Sequence, residues 1–277
     1  MNDPGPIGSK PNARVVERSS ESDPGLKRAT NQDRVYGEAP LFVVADGMGG
    51  HAGGEVAAAI AVDTFRERAS LCRQSEPSEA LHTLVTDANA RIWKRGQEQS
   101  ELSGMGTTVT AALVHDDAVT LAHVGDSRAY RLRGGALEQL TEDHSYVAEL
   151  VRLGALTPEE AERHPHRSRV SRALGIAEDV EPDITTHVAE DGDIYILCSD
   201  GLSKMISDDL LRETIVTEPR LEAATEKLIA LANARGGDDN ISVCLFRIAV
   251  RDDARKETTV IDQSVIARAA TAERPAL

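Results

Sequence analysis

Residues Thr107 to Arg133 read TTVTAALVHDDAVTLAHVGDSRAYRLR, three short β-branched runs at 107–114, 118–124 and 127–133 separated by Asp116-Asp117 and Gly125-Asp126. Runs of this length bounded by Asp and Gly are strands joined by tight turns, so the stretch predicts an antiparallel meander. Working outward, Leu41-Phe42-Val43-Val44-Ala45 and Ile194-Tyr195-Ile196-Leu197-Cys198 are too apolar for solvent and predict buried strands. Further strands are expected near 183–188 and from Ile241 to Val250. Helical periodicity marks Glu55 to Arg68, a segment opened by Pro77 and running to about Gln97, and the segments 208–216 and 220–234. Hairpins outnumber β-α-β alternation. The predicted class is therefore α+β, an antiparallel sandwich with helices on the outside, in preference to a doubly wound parallel sheet.

Residues 1–24 are rich in Pro, Gly, Ser and charge without periodicity and are expected to be a disordered lead. A folded domain is expected over 25–250, with a flexible tail at 251–277. Within the domain, 141–175 reads as helical and more polar, with Thr157-Pro158-Glu159-Glu160 forming a capping box, which suggests an insertion or lid.

The chain has 277 residues, 46 acidic against 31 basic, for a net charge of -15. That field repels nucleic acid and anionic membranes, so neither is expected as a partner. Cys72, Cys198 and Cys244 have no C-x-x-C spacing and an odd count, which fits a reducing compartment. No apolar stretch approaches the ~20 residues of a membrane span, and the start lacks the pattern of a signal peptide. The expectation is a soluble, cytoplasmic protein.

Four acidic turns, Asn31-Gln32-Asp33, Asp46-Gly47, Ser199-Asp200-Gly201 and Asp238-Asp239-Asn240, lie beside apolar runs far apart in the chain. One Asp-Gly pair alone reads as a hairpin turn, but the set suits an oxygen-only site for Mg²⁺ or Mn²⁺. Arg28 lies close enough to Asp33 in sequence to neutralise carboxylates or to hold a phosphoryl group with its planar fork. Other hydrolytic devices are absent. The sixth residues after Cys72, Cys198 and Cys244 are Ser78, Lys204 and Val250, not the Arg of a cysteine-dependent phosphatase loop. There is no G-x-S-x-G elbow, Walker loop or H-E-x-x-H helix.

Gly25-x-x-Arg28-x-x-Asn31-Gln32-Asp33, Ala45-Asp46-Gly47-Met48-Gly49-Gly50-His51, Gly104-Met105-Gly106-Thr107-Thr108, His123-Val124-Gly125-Asp126-Ser127-Arg128, Ser199-Asp200-Gly201-Leu202 and Asp238-Asp239-Asn240-Ile241 occur in the order found in metal-dependent protein phosphatases of the 2C type. The chain resembles the bacterial branch of that family over about residues 22 to 248. The resemblance implies a four-layer α-β-β-α sandwich of two antiparallel sheets flanked by helices, with a flap at about 145–175. It also implies that Asp33, Asp46, Asp200 and Asp239, with the Gly47 carbonyl, hold two Mn²⁺ or Mg²⁺ ions, and that Asp126 helps Asp200 hold a third, weaker one. Arg28 would grip the substrate phosphate, and Gln32 and Asn240 would orient ligands.

The implied activity is hydrolysis of phosphoserine and phosphothreonine in proteins, a Ser/Thr protein kinase among them, by a monomeric enzyme. Two cations about 4 Å apart can lower the pKa of a shared water from ~16 toward ~7 and present hydroxide to phosphorus. The leaving alkoxide needs a proton, for which His51 is a candidate donor. Some relatives have His directly after the Asp-Gly pair, where this chain has Met48. His164, His166, Arg167 and Arg169 give the flap positive charge suited to a phosphopeptide. Thr258 and Thr259, flanked by acids in the tail, are candidates for phosphorylation. A regulatory phosphoprotein-binding module is the alternative from another class, and it would require a missing ligand; none of the expected aspartates is missing.

Overall fold

Side-chain alternation along the strands sorts residues into separate cores. The structure, a computed structural model, describes residues 12–49 and 53–251. In spatial order one antiparallel sheet consists of β1 (Asn12–Asp23), β12 (Ile241–Arg251), β11 (Ile194–Cys198), β8 (Arg128–Arg133) and β9 (Ala136–Gln139). The other consists of β10 (Asp183–Val188), β7 (Ala118–Val124), β6 (Val109–His115), β3 (Leu41–Ala45) and β2 (Arg34–Glu38). Phe42 and Val44 point to the space between the sheets, where they meet Tyr195, Leu197, Cys244 and Phe246. Rings stack there, Phe42 on Phe246 at 4.0 Å and Tyr195 on Phe246 at 5.2 Å.

The alternate residues of the same strands face helices. Leu41, Val43 and Ala45 pack on α1 (Gly53–Glu67) and α2 (Pro77–Glu98) through Ala57, Ala58, Ala61, Leu81 and Leu84. Ile194, Ile196, Val243 and Leu245 pack on α6 (Asp208–Thr217) and α7 (Leu221–Ala234) through Leu211, Ile215, Ala224 and Leu228. Each fully buried Leu, Ile or Phe contributes about 1.5–3 kcal/mol of transfer free energy, which binds the four layers together. The expected α-β-β-α sandwich is the observed one. Among the described residues no helix is long and apolar enough to cross a membrane.

Three expectations are corrected. Residues 12–23 are not a disordered lead: β1 pairs with β12 from Asn12↔Arg251 to Asp23↔Ile241. It is an edge strand with a polar outer face, so its sequence has no apolar run, and its partner lies at the other end of the chain. Residues 1–11 and the tail from 252, including Thr258 and Thr259, lie outside the described residues. The runs at 107–133 do not form one meander. β6 and β7 are a hairpin, but β8 joins the opposite sheet beside β11, and the chain crosses at Gly125, whose φ of 120° suits glycine. Finally, 141–175 is only partly helical, with α3 (Tyr146–Arg152) and α4 (Pro158–Glu162). The Thr157/Glu160 capping box is present, and the insertion is anchored by isolated bridges Ser145↔Val170 and Thr107↔Leu174.

Candidate metal centre

Antiparallel pairing brings the acidic turns to one end of the sandwich. Asp33 precedes β2 and Asp46 follows β3, whose adjoining residues Arg34 and Ala45 are paired. Asp126 lies between β7 and β8, Asp200 opens the short helix α5 (Asp200–Ser203) just after β11, and Asp239 precedes β12. Strand ends of both sheets thus deliver the five carboxylates.

Local bonds fix the turns. The Asp46 N–H donates to Thr108 Oγ1 at 3.0 Å, and its carbonyl accepts from Thr108 N at 2.8 Å and Thr107 Oγ1 at 2.9 Å. A Cβ on Gly47 would fall 2.1 Å from the Gly54 carbonyl oxygen, so only glycine lets the start of α1 approach β4 (Gly47–Met48) this closely. Asn240 fastens the loop that carries Arg28 and Asp33. Its Nδ2 donates to the Pro24 and Thr30 carbonyls at 2.9 and 3.0 Å, and its Oδ1 accepts from Gln32 N at 2.8 Å. A Cβ on Gly201 would lie 2.0 Å from the Asn240 carbonyl oxygen, so α5 and the 238–240 turn also touch through backbone.

The electrostatics are those of crowded anions. Asp33 is 1% exposed, and neither of its carboxylate oxygens has a hydrogen-bond partner; Asp200 Oδ1 is likewise buried and unpartnered. Burial pushes the Asp33 carboxyl up to about 6, against the opposing influence of the Ser242 and Ser199 hydroxyls and with added repulsion from Asp200 and Asp239. Burial and then Asp200 push Asp126 up to about 7, with Lys204 opposing. Asp46 is raised well above the usual range by burial and by Asp33, Asp200, Asp126 and Asp239. Two cationic side chains answer part of this charge. Arg28 Nη2 donates to Asp239 Oδ2 at 2.7 Å, and Lys204 Nζ donates to Asp200 Oδ2 and lies 3.6 Å from Asp126 Oδ2.

The donor set fits hard divalent cations: it is oxygen-only, and buried carboxylate oxygens without partners call for positive charge. Among the described residues no three Asp, Glu, His or Cys side chains close into a ready-made cage for one ion. Ions such as Mg²⁺ that keep several waters need only one or two carboxylates each, and here Asp239 and Asp200 are engaged by Arg28 and Lys204.

Residues 27–245 match the sequence model of the family described as Protein phosphatase 2C. The chain belongs to the protein phosphatase 2C family. It is 42% identical over 238 residues to the serine/threonine protein phosphatase PstP of Mycobacterium tuberculosis, an alignment covering 86% of this chain and 46% of PstP. The chain thus spans about half the length of that curated relative. It is 37% identical over 245 residues to the protein phosphatase PhpP of Streptococcus pneumoniae, covering 86% of this chain and 99% of PhpP. A solved catalytic domain of PstP in complex with two manganese ions superposes with a TM-score of 0.77 at 39% identity, covering 86% of this chain and 99% of the other.

On this 2C-type scaffold, Asp33, Asp46, Gly47, Asp126, Asp200, Asp239, Arg28, Gln32 and Asn240 all lie at the same end of the sandwich. His51 lies outside the described residues. Sequence reasoning missed Lys204, and it quoted Thr108 within a motif without giving it a role. The signal for Lys204 is its i,i+4 spacing from Asp200 across a helical turn; the bonds of Thr108 to the Asp46 backbone follow only from the fold. A cleft of about 810 Å³ runs from Asp126 and Lys204 beneath the flap and is lined there by Val151, Pro158 and Arg167. The cationic flap residues separate: Arg167 faces this cleft, whereas the Arg169 guanidinium sits over the Tyr146 ring at 5.9 Å.

Proposed function

We propose that the chain is a metal-dependent protein-serine/threonine phosphatase acting in the cytoplasm on phosphoproteins, a Ser/Thr kinase among them. What carries the reading is the convergence of five aspartates from remote strand ends, one of them buried with both oxygens unpartnered. Asp33, Asp46, Asp200 and Asp239, with the Gly47 carbonyl, would hold two Mn²⁺ or Mg²⁺ ions, and Asp126 with Asp200 a weaker third. When bound, such a pair lowers the pKa of a shared water from ~16 toward ~7 and neutralises charge on the phosphoryl oxygens.

The side chains do the positioning. Arg28 is exposed and paired only at the rim with Asp239, an interaction worth about 0–1 kcal/mol, so its fork is available to take two phosphate oxygens instead. Asn240 keeps Arg28 and Asp33 in register by holding both ends of their loop. Attack of water on phosphorus breaks the P–O bond to serine or threonine, and the departing alkoxide takes a proton from a general acid, for which His51 is the candidate. The cleft beneath the flap would receive the flanking peptide.

The test is hydrolysis of an aryl phosphate and of a phosphothreonine peptide with Mn²⁺, with EDTA, and with Asp46→Asn or Asp239→Asn. Turnover of both substrates should require Mn²⁺ and vanish in each control. Turnover that survives EDTA would overturn the proposal.

A further inference from the structure

Lys204 stands where the carboxylates crowd most closely against the flap. It follows Asp200 by one helical turn, its Nζ donates to Asp200 Oδ2, and Asp126 Oδ2 is 3.6 Å from the same nitrogen. The ammonium also lies 3.4 Å from Ser168 Oγ in the flap. Asp126 is buried and Asp200 nearly so, so their charges repel at short range and need a cation between them. A divalent ion drawn to Asp200 Oδ2 and Asp126 Oδ2 would meet the ammonium there. The lysine has somewhere to go, because Lys204 lines the 810 Å³ cleft.

We propose that Lys204 is a built-in cation of the Asp126–Asp200 pair, competing chiefly with the weaker third ion and far less with the two ions on the Asp33–Asp46 side. The inference rests on the metal-centre reading above and deepens it. A tethered ammonium never dissociates from the protein, so it lowers the occupancy of the third ion at every metal concentration without blocking the other two. Displacing it moves one positive charge toward the flap cleft, where a phosphopeptide would meet it.

The experiment is a Mn²⁺ titration of the full chain by calorimetry, with free Mn²⁺ counted by electron paramagnetic resonance, for wild type, Lys204→Met, Lys204→Arg and Lys204→Met/Asp126→Asn. The wild type should bind two equivalents tightly and a further one weakly. Lys204→Met should tighten the weak equivalent at least tenfold and leave the tight ones within about twofold. Lys204→Arg should stay near wild type, and the double variant should lose the gain. If Lys204→Met binds the weak equivalent no tighter, or the gain survives Asp126→Asn, the role of Lys204 is overturned while the two-ion reading stands. If the wild type binds no Mn²⁺, both fall. Circular dichroism and Tm in EDTA verify that each variant is folded.

Discussion

Asp33 and Asp46 sit at adjoining ends of β2 and β3 and form no ion pair among the described residues, whereas Asp200 and Asp239, from the opposite sheet, are matched with Lys204 and Arg28. The first flank is held by backbone bonds and burial and depends on an external cation for charge balance. The second carries its own cations, which an incoming ion or phosphate must displace. On the proposed reading, tight binding and exchange would be divided between the two sheets.

The largest effect should separate the flanks most sharply. Asp46→Asn should cut Mn²⁺-dependent hydrolysis roughly a thousandfold, since the ions supply several kcal/mol of charge stabilisation. Arg28→Ala, which removes a phosphate contact, should cost about 10–100-fold, mostly in KM for the phosphopeptide. Steady-state kinetics at saturating Mn²⁺ checks both, and equal losses would break the comparison.

A second test uses pH. Asp33 titrates at about 6 in the folded chain against 3.8 in its ordinary state, so the folded state binds more protons than the unfolded one between these values. In EDTA its contribution should therefore decrease stability as pH rises from about 4 through about 6, by on the order of 2–3 kcal/mol. Asp33→Asn should flatten the slope of Tm against pH by that share, while Asp46 and Asp126, which are also raised, keep a slope of the same sign. Saturating Mn²⁺ should reverse it, because ion binding requires the ionised carboxylate. A wild-type profile in EDTA that matches Asp33→Asn would sink this account of the first flank.

Asn240→Ala should lower stability by about 2 kcal/mol through the lost buried hydrogen bonds and weaken Mn²⁺ binding about tenfold. Chemical denaturation and calorimetry measure the two, and an unchanged Mn²⁺ affinity would confine Asn240 to a structural role. The smallest effect lies in the flap. Arg167→Ala should raise KM for a phosphopeptide a few-fold, with aryl phosphate unaffected, while Arg169→Ala, whose guanidinium is engaged on Tyr146, should do less.

Much of this was legible in the sequence because it is local. α2 and α7 follow from apolar periodicity, and β3 and β11 from unbroken apolar runs that only a buried strand explains. Asp33, Asp46, Asp200 and Asp239 were legible because each sits in a turn beside such a run, whereas Asp126 was reached only through the family motif. Sheet membership was not: β7 and β8 are adjacent in sequence yet lie in opposite sheets, and the decision rests on the geometry at Gly125. β1 was hidden because an edge strand needs an apolar inner face only at a few positions, here Ala13 and Val15. Lys204 reads as one charge just past a short helix until Asp126 is brought against it from another turn.

Were the polypeptide trimmed to begin at Gly25, the whole outer margin of Ile241–Arg251 would be stripped of its neighbour. Bare amides and carbonyls along a long apolar strand invite pairing with another molecule. β1 is an edge in its turn, but a bulge between Val15 and Glu17 and the exposed charges of Arg14, Arg18 and Glu21 make it a poorer template than β12, so it serves as a guard rail against self-association directly upstream of the loop on which Arg28 and Asp33 depend.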